Sequence, residues 1–112
     1  MTEKYISELP VSITVSDNDG KIVYMNKKSE KVFENYGGKE LLGKNIFDYH
    51  SPSSKNKITE MLTNNTTNSY TIEKNGIKKM IFQSPWKENG ETKGMIEFSF
   101  EIPFEMPNFI RS

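Results

Sequence analysis

Cysteine is missing from all 112 residues, which excludes disulfides, thiolate metal sites, thiol nucleophiles and any cofactor adduct through sulfur. Neither sign of charge prevails: 15 basic and 15 acidic side chains give a formal net charge of zero. No field therefore draws the chain toward nucleic acid or an anionic membrane. Apolar runs are short, and none approaches the roughly 18 residues of a membrane span. The opening MTEKYISELP lacks the basic and apolar regions of a signal peptide. The chain reads as cytoplasmic, with no nucleic-acid and no membrane partner. Histidine is scarce as well. His50 stands alone among scattered carboxylates and offers no metal-ligand spacing.

What is present fits one domain, since 112 residues suffice for a single hydrophobic core and not for two. The initial Met is expected to be a natural start, while the stop after Ser112 says nothing. In VSITVSDNDGKIVYMN, Val11, Ile13 and Val15 alternate with Ser12, Thr14 and Ser16, an Asp-Asn-Asp-Gly turn follows, and Ile22 and Tyr24 resume the pattern. This predicts a β-hairpin with one apolar face. The period then changes: Met25, Ser29, Val32, Phe33 and Tyr36 fall at helical spacing, Asn26 is placed to cap, and Gly37-Gly38 ends the run. A helix of about three turns is expected.

Short apolar bursts at Leu41-Leu42 and Ile46-Phe47 read as linked single turns. Ser51 as cap, Pro52 at the first helical position and the stripe Ile58, Met61, Leu62 predict a second amphipathic helix. The last third is a meander of three strands: NSYTIEK, an Asn75-Gly76 turn, IKKMIFQSPWK, a Glu-Asn-Gly-Glu turn, and TKGMIEFSFEI. In the final strand Ile96, Phe98, Phe100 and Ile102 oppose Glu97, Ser99 and Glu101. That alternation suits a sheet covered on one side, with the helices expected to cover the apolar face.

This order and its local motifs resemble the PAS domain family. LPVSITVSDNDGKIVYMNKKSEKVF is similar to the family's opening, an apolar strand, an Asp-x-x-Gly turn and a second strand ending on an Asn that starts a helix. GGKELLGKNIFDYHSP is similar to its middle, where a Leu-Leu-Gly segment leads through short helices to a His-Pro type turn. The resemblance runs from about Leu9 to Ile102. It implies an α+β fold, a five-stranded antiparallel sheet in the order 2-1-5-4-3 with short helices packed on one face. It also implies a cavity between sheet and helices that holds haem, flavin, a small organic molecule or nothing. The expected division is an N-terminal segment over 1–9, the PAS-type domain over 10–102 and a tail over 103–112.

Sensing or assembly is then expected, not catalysis. Asp17 and Asp19 form a turn, Glu97 and Glu101 belong to the face expected to be solvated, and Ser84 has no base nearer than a distant His50. No catalytic residue and no metal ligand is assigned. His50 is read first as part of the turn that launches the helix, and second as a polar contact to a ligand. Haem ranks lower, because relatives place the axial ligand on the helix after this turn and Ser53 to Leu62 contain no histidine. A light-driven flavin adduct needs a cysteine. The sequence identifies no cofactor.

In FQSPWKENG the strand expected to line the cavity offers Phe82 and Gln83, and which of them faces inward depends on a bulge near Pro85. Candidate ligand-contacting residues are these two and His50, with Tyr24, Phe33, Tyr36 and Leu42 from the first half. Phe47, Ile58, Leu62 and Phe98 complete the set. Pro103 and Pro107 forbid a regular output helix. Phe104, Met106, Phe109 and Ile110 are costly to expose, so the tail is expected to pack on the domain or on a second subunit. A PAS-type sensory domain binding a small molecule, forming a homodimer and acting on a signalling protein in trans is the reading. The alternative is a ligand-free homodimerisation module.

Overall fold

The computed structural model describes residues 3–112. A short helix α1 (Glu3–Ile6) precedes the hairpin β1 (Ser12–Asp17) and β2 (Ile22–Met25). Helix α2 (Lys27–Val32), three 3₁₀ turns and helix α3 (Pro52–Asn64) follow, and the chain ends in the meander β3 (Asn68–Lys74), β4 (Ile77–Glu88) and β5 (Glu91–Ile102). The strands form one antiparallel sheet in the order β2-β1-β5-β4-β3, as the resemblance implied. Among the described residues no helix is long and apolar enough to cross a membrane.

Local chemistry accounts for the joints. Asp17 Oδ1 accepts from the amides of Asp19 and Lys21, both at 2.9 Å, and closes the first turn. Gly20 ends it at φ 86, where a Cβ would meet the Phe47 ring at 2.9 Å, so this turn is pressed onto the helical layer. Asn26 is 1% exposed and uses its whole amide. Oδ1 accepts from the amides of Ile13 (2.9 Å) and Ser29 (3.0 Å), while Nδ2 donates to the carbonyls of Ile6 and Val11, both at 2.8 Å. One side chain thus joins α2, β1 and the N-terminal segment.

Two expectations need correction. The first helix does not run three turns: α2 stops at Val32, and a 3₁₀ turn over Glu34–Tyr36 leads into Gly37 at φ 116. Gly38 then lies so close to the Glu30 carbonyl that a Cβ would sit 3.1 Å from it, a reversal that a continuing helix would prevent.

The second correction concerns which face of the sheet the helices cover. The core beneath them comprises Ile22, Met25, Leu41, Ile46, Ile58, Met61 and Met95. Met95 shares its face with Glu97 and Ser99, and the register places these beside Ser16, Thr14 and Ser12 of β1. The strands' more polar face is the one roofed by helices. Ile96, Phe98, Phe100 and Ile102 point to the other side, half-buried. A bulge between Trp86 and Lys87 sets this register against β4. Pro85 is tolerated because β3 ends opposite Gln83, so no strand on that side asks for the missing N–H.

Candidate functional site

Helix α3 is set by its start. Ser51 Oγ accepts from the Ser54 amide at 3.2 Å, and Pro52 fills a position whose N–H has no helical partner. Ile58 and Met61 are thereby pressed onto the sheet, while Asn65, in the left-handed conformation at φ 56, reverses the chain into β3. Between α3 and the strands β3 and β4 a cleft of about 630 Å³ is left open. Its walls include Ser54, Lys57, Asn64, Asn68 and Tyr70, and apolar surface enters chiefly through Ile58 and Met61.

Gln83, 4% exposed, lies on the cleft's sheet side. Its Oε1 accepts from Asn68 Nδ2 at 3.1 Å and its Nε2 donates to Glu97 Oε2 at 2.7 Å. Burial and then the nearby Glu97 carboxylate raise the Tyr70 hydroxyl above its ordinary pKa of 10.0. The result is a polar chain from β3 through β4 to β5, running along the face that the helices cover.

A smaller cavity, about 180 Å³, lies beside β1 and the 3₁₀ turns. Phe33, Leu41 and Ile46 make it apolar, and the rings of Tyr36 and Tyr49 meet edge to face across 6.0 Å at its margin. His50 lines both cavities. Its Nδ1 lies 2.7 Å from the Ile46 carbonyl. A carbonyl only accepts, so Nδ1 carries the proton, and in the neutral ring Nε2 is left to accept. His50 therefore closes the turn, as read from the sequence, and also stands between two spaces. Haem suits this surrounding poorly, because the cleft beside His50 is walled by hydroxyl, amide and charged groups instead of an apolar slot.

The residues singled out from the sequence are divided by the fold. His50, Ile58 and Gln83 line the cleft, and Phe33, Tyr36 and His50 line the smaller cavity. Phe47 and Leu62 pack at the margin of the core, and Leu42 is exposed. Tyr24 pairs with Val15, away from both cavities. Phe82 and Phe98 do not face the helices. They are register partners whose rings lie 6.3 Å apart on the outer face. The bulge comes after Pro85, so it leaves Gln83 inward and Phe82 outward.

Sequence reasoning passed over Asn68 and Tyr70, and it placed Glu97 on the solvated face, whereas Glu97 meets Gln83 on the face that the helices cover. Counting back from the two-residue turn at Asn75-Gly76 puts Asn68 opposite Gln83, so that signal was present. Glu97 was hidden, because the same count from Asn89-Gly90 puts Ile96 there and only the bulge advances the register by one.

A family model described as PAS domain matches residues 10–101. The chain belongs to the PAS domain family. No curated protein matches its sequence. Solved structures agree on the PAS fold. The PAS domain of a Colwellia psychrerythraea protein is 21% identical with a TM-score of 0.66, covering 90% of this chain and 93% of its own. A sensory box sensor histidine kinase from Vibrio cholerae is 18% identical with a TM-score of 0.67, over 92% of this chain and 90% of that one. VqmA bound to DPO, also a Vibrio cholerae protein, is 14% identical with a TM-score of 0.70, over 90% of this chain and 56% of that one. Set in this PAS fold, the Asn68–Gln83–Glu97 chain occupies the helix-covered face of the sheet. PAS domains are sensory modules of signal transduction, and this one places the Asn68–Gln83–Glu97 hydrogen bonds there.

Proposed function

We propose that this PAS domain binds a small polar organic molecule in the cleft between α3, β3 and β4, and that occupancy alters how it contacts a signalling partner in trans. The observation that carries the reading is the buried Gln83, held between Asn68 and Glu97 at the cleft instead of being replaced by an apolar core residue. Buried amides are kept where their hydrogen bonds are satisfied, and here part of that capacity borders open space. That VqmA is solved with DPO bound shows one similar domain in a ligand-bound protein. The lack of paired nucleophile and base favours a regulator over an enzyme.

The test is native mass spectrometry of protein purified under non-denaturing conditions, followed by thermal-shift screening of small polar metabolites. A co-purifying or stabilising molecule whose effect is lost in Gln83→Leu supports the reading; stabilisation unaltered by that substitution overturns it.

The second reading, a ligand-free homodimer, rests on a different observation. Ile110 is 94% exposed and Phe109 72%, with Phe104 and Met106 also exposed, and the outer sheet face presents half-buried Phe82, Ile96 and Phe98. In this reading a second subunit covers that apolar tail. Sedimentation giving a monomer at high protein concentration removes this reading.

A further inference from the structure

A third cavity, of about 440 Å³, lies between α2 and the adjoining ends of β1, β4 and β5. It arises from the register. Ser12 opposite Ser99 is the last pair of β1 with β5, and beyond it Phe100, Glu101 and Ile102 pair only with β4. Pro10 lacks the N–H needed to prolong the ladder, so the chain before β1 stands off and leaves a notch. Val32 of α2 and Val11 supply apolar wall.

The polar groups around this notch are unbalanced. Lys28 and Lys79, on α2 and β4, are both half-buried there, and among the described residues neither makes an ion pair. Glu101, exposed at the rim, can offset one of them. Ser99 is 7% exposed, lines the notch, and among the described residues its hydroxyl has no hydrogen-bond partner. Two cations, an unpartnered hydroxyl that opens on the notch and apolar wall together match an anion on an apolar body.

We propose that this notch is a binding site for a small amphipathic carboxylate. The carboxylate sits between Lys28 and Lys79 and accepts from the Ser99 hydroxyl, and the apolar part lies on Val11 and Val32. The site is separate from the α3 cleft and does not depend on what that cleft binds.

The test titrates the isotope-labelled full chain with sodium hexanoate and follows backbone amide shifts, with hexan-1-ol as the neutral control. Saturable shifts at Val11, Lys28, Val32, Ser99 and Glu101 are expected with hexanoate and not with the alcohol. Each of Lys28→Gln and Lys79→Gln weakens binding roughly tenfold, the loss of one charge-assisted hydrogen bond, and Ser99→Ala weakens it less. These substitutions are expected to leave the remaining spectrum in place, so fold loss is recognised at once. No saturable shift, equal shifts with hexan-1-ol, shifts confined to the α3 cleft, or unchanged affinity in the double lysine variant each overturns the proposal.

Discussion

Gln83 Nε2 donates to Glu97 Oε2 across neighbouring strands at 2.7 Å, on the face of the sheet that the helices cover. This pair decides how the domain is organised inside. A carboxylate on that face must be hydrogen-bonded or hydrated, and Gln83, fixed in turn by Asn68, supplies the bond.

Replacing Gln83 with Leu therefore strands both neighbours. The expected cost is about 1–2 kcal/mol, because Asn68 and Glu97 each lose a partner and only part of that is recovered from water. Chemical denaturation of Gln83→Leu checks it, and Glu97→Gln, which keeps an acceptor for Gln83, should cost less.

Asn26 fills all four of its hydrogen-bonding places while buried. Asn26→Ala leaves the amides of Ile13 and Ser29 and the Val11 carbonyl unpaired, and leaves the Ile6 carbonyl only its 3.4 Å bond from the Leu9 amide, so a loss of about 3 kcal/mol is expected. Asn26→Asp should also destabilise, since a carboxylate cannot donate to Ile6 and Val11 and repels their oxygens. Equal stability of Asn26→Asp and wild type in urea titration would show that those two donors contribute nothing.

Gly94 allows β1 to approach β5: any Cβ there would overlap the Ser16 carbonyl oxygen, the same oxygen that accepts from Trp86 Nε1 at 2.9 Å. Gly94→Ala must push the strands apart at mid-sheet, at a cost on the order of 4 kcal/mol. Loss of the cooperative thermal transition, or a large fall in its midpoint, is the expected result. Ser16→Ala is expected to do the reverse. Its Oγ is buried and, among the described residues, without a partner, and removing it should leave stability unchanged or raise it by up to about 1 kcal/mol.

Alkaline pH tests Tyr70. Burial first and Glu97 second raise its hydroxyl above 10.0 in the folded chain, so the folded state holds this proton more tightly than the unfolded one. The associated stability is full below pH 10.0 and is lost as pH rises through the folded value. Tyr70→Phe should flatten that part of the alkaline stability profile and leave the neutral region unchanged. An unaltered slope in the variant would remove the argument.

The turns at Asp17–Gly20 and Asn75-Gly76 and the caps at Asn26 and Ser51 were legible along the chain, because each depends on residues within a few positions of one another; the strand order, which pairs β1 with β5 from opposite ends of the chain, came only from the resemblance. Alternation of apolar and polar residues also gave the strands themselves. It misled on their facing: a regular alternation says that two faces differ, and nothing in it says which one the helices will take. Here Thr14, a β-branched polar residue, turns inward and its hydroxyl meets that of Ser29, while the aromatic face of β5 turns outward.

By itself, then, the sequence determined the periodicities, caps and turns that make a PAS-type chain, since these arise from local backbone preference and short-range hydrogen bonding. Only tertiary structure decided that Gln83 meets Glu97, that His50 stands between two cavities, and that Phe82 and Phe98 face away from both. The physical reason is register: one extra residue in β5, Lys93, opposite the step from Trp86 to Lys87, moves every β5 side chain beyond it to a new neighbour on β4, and no local preference counts that residue in advance.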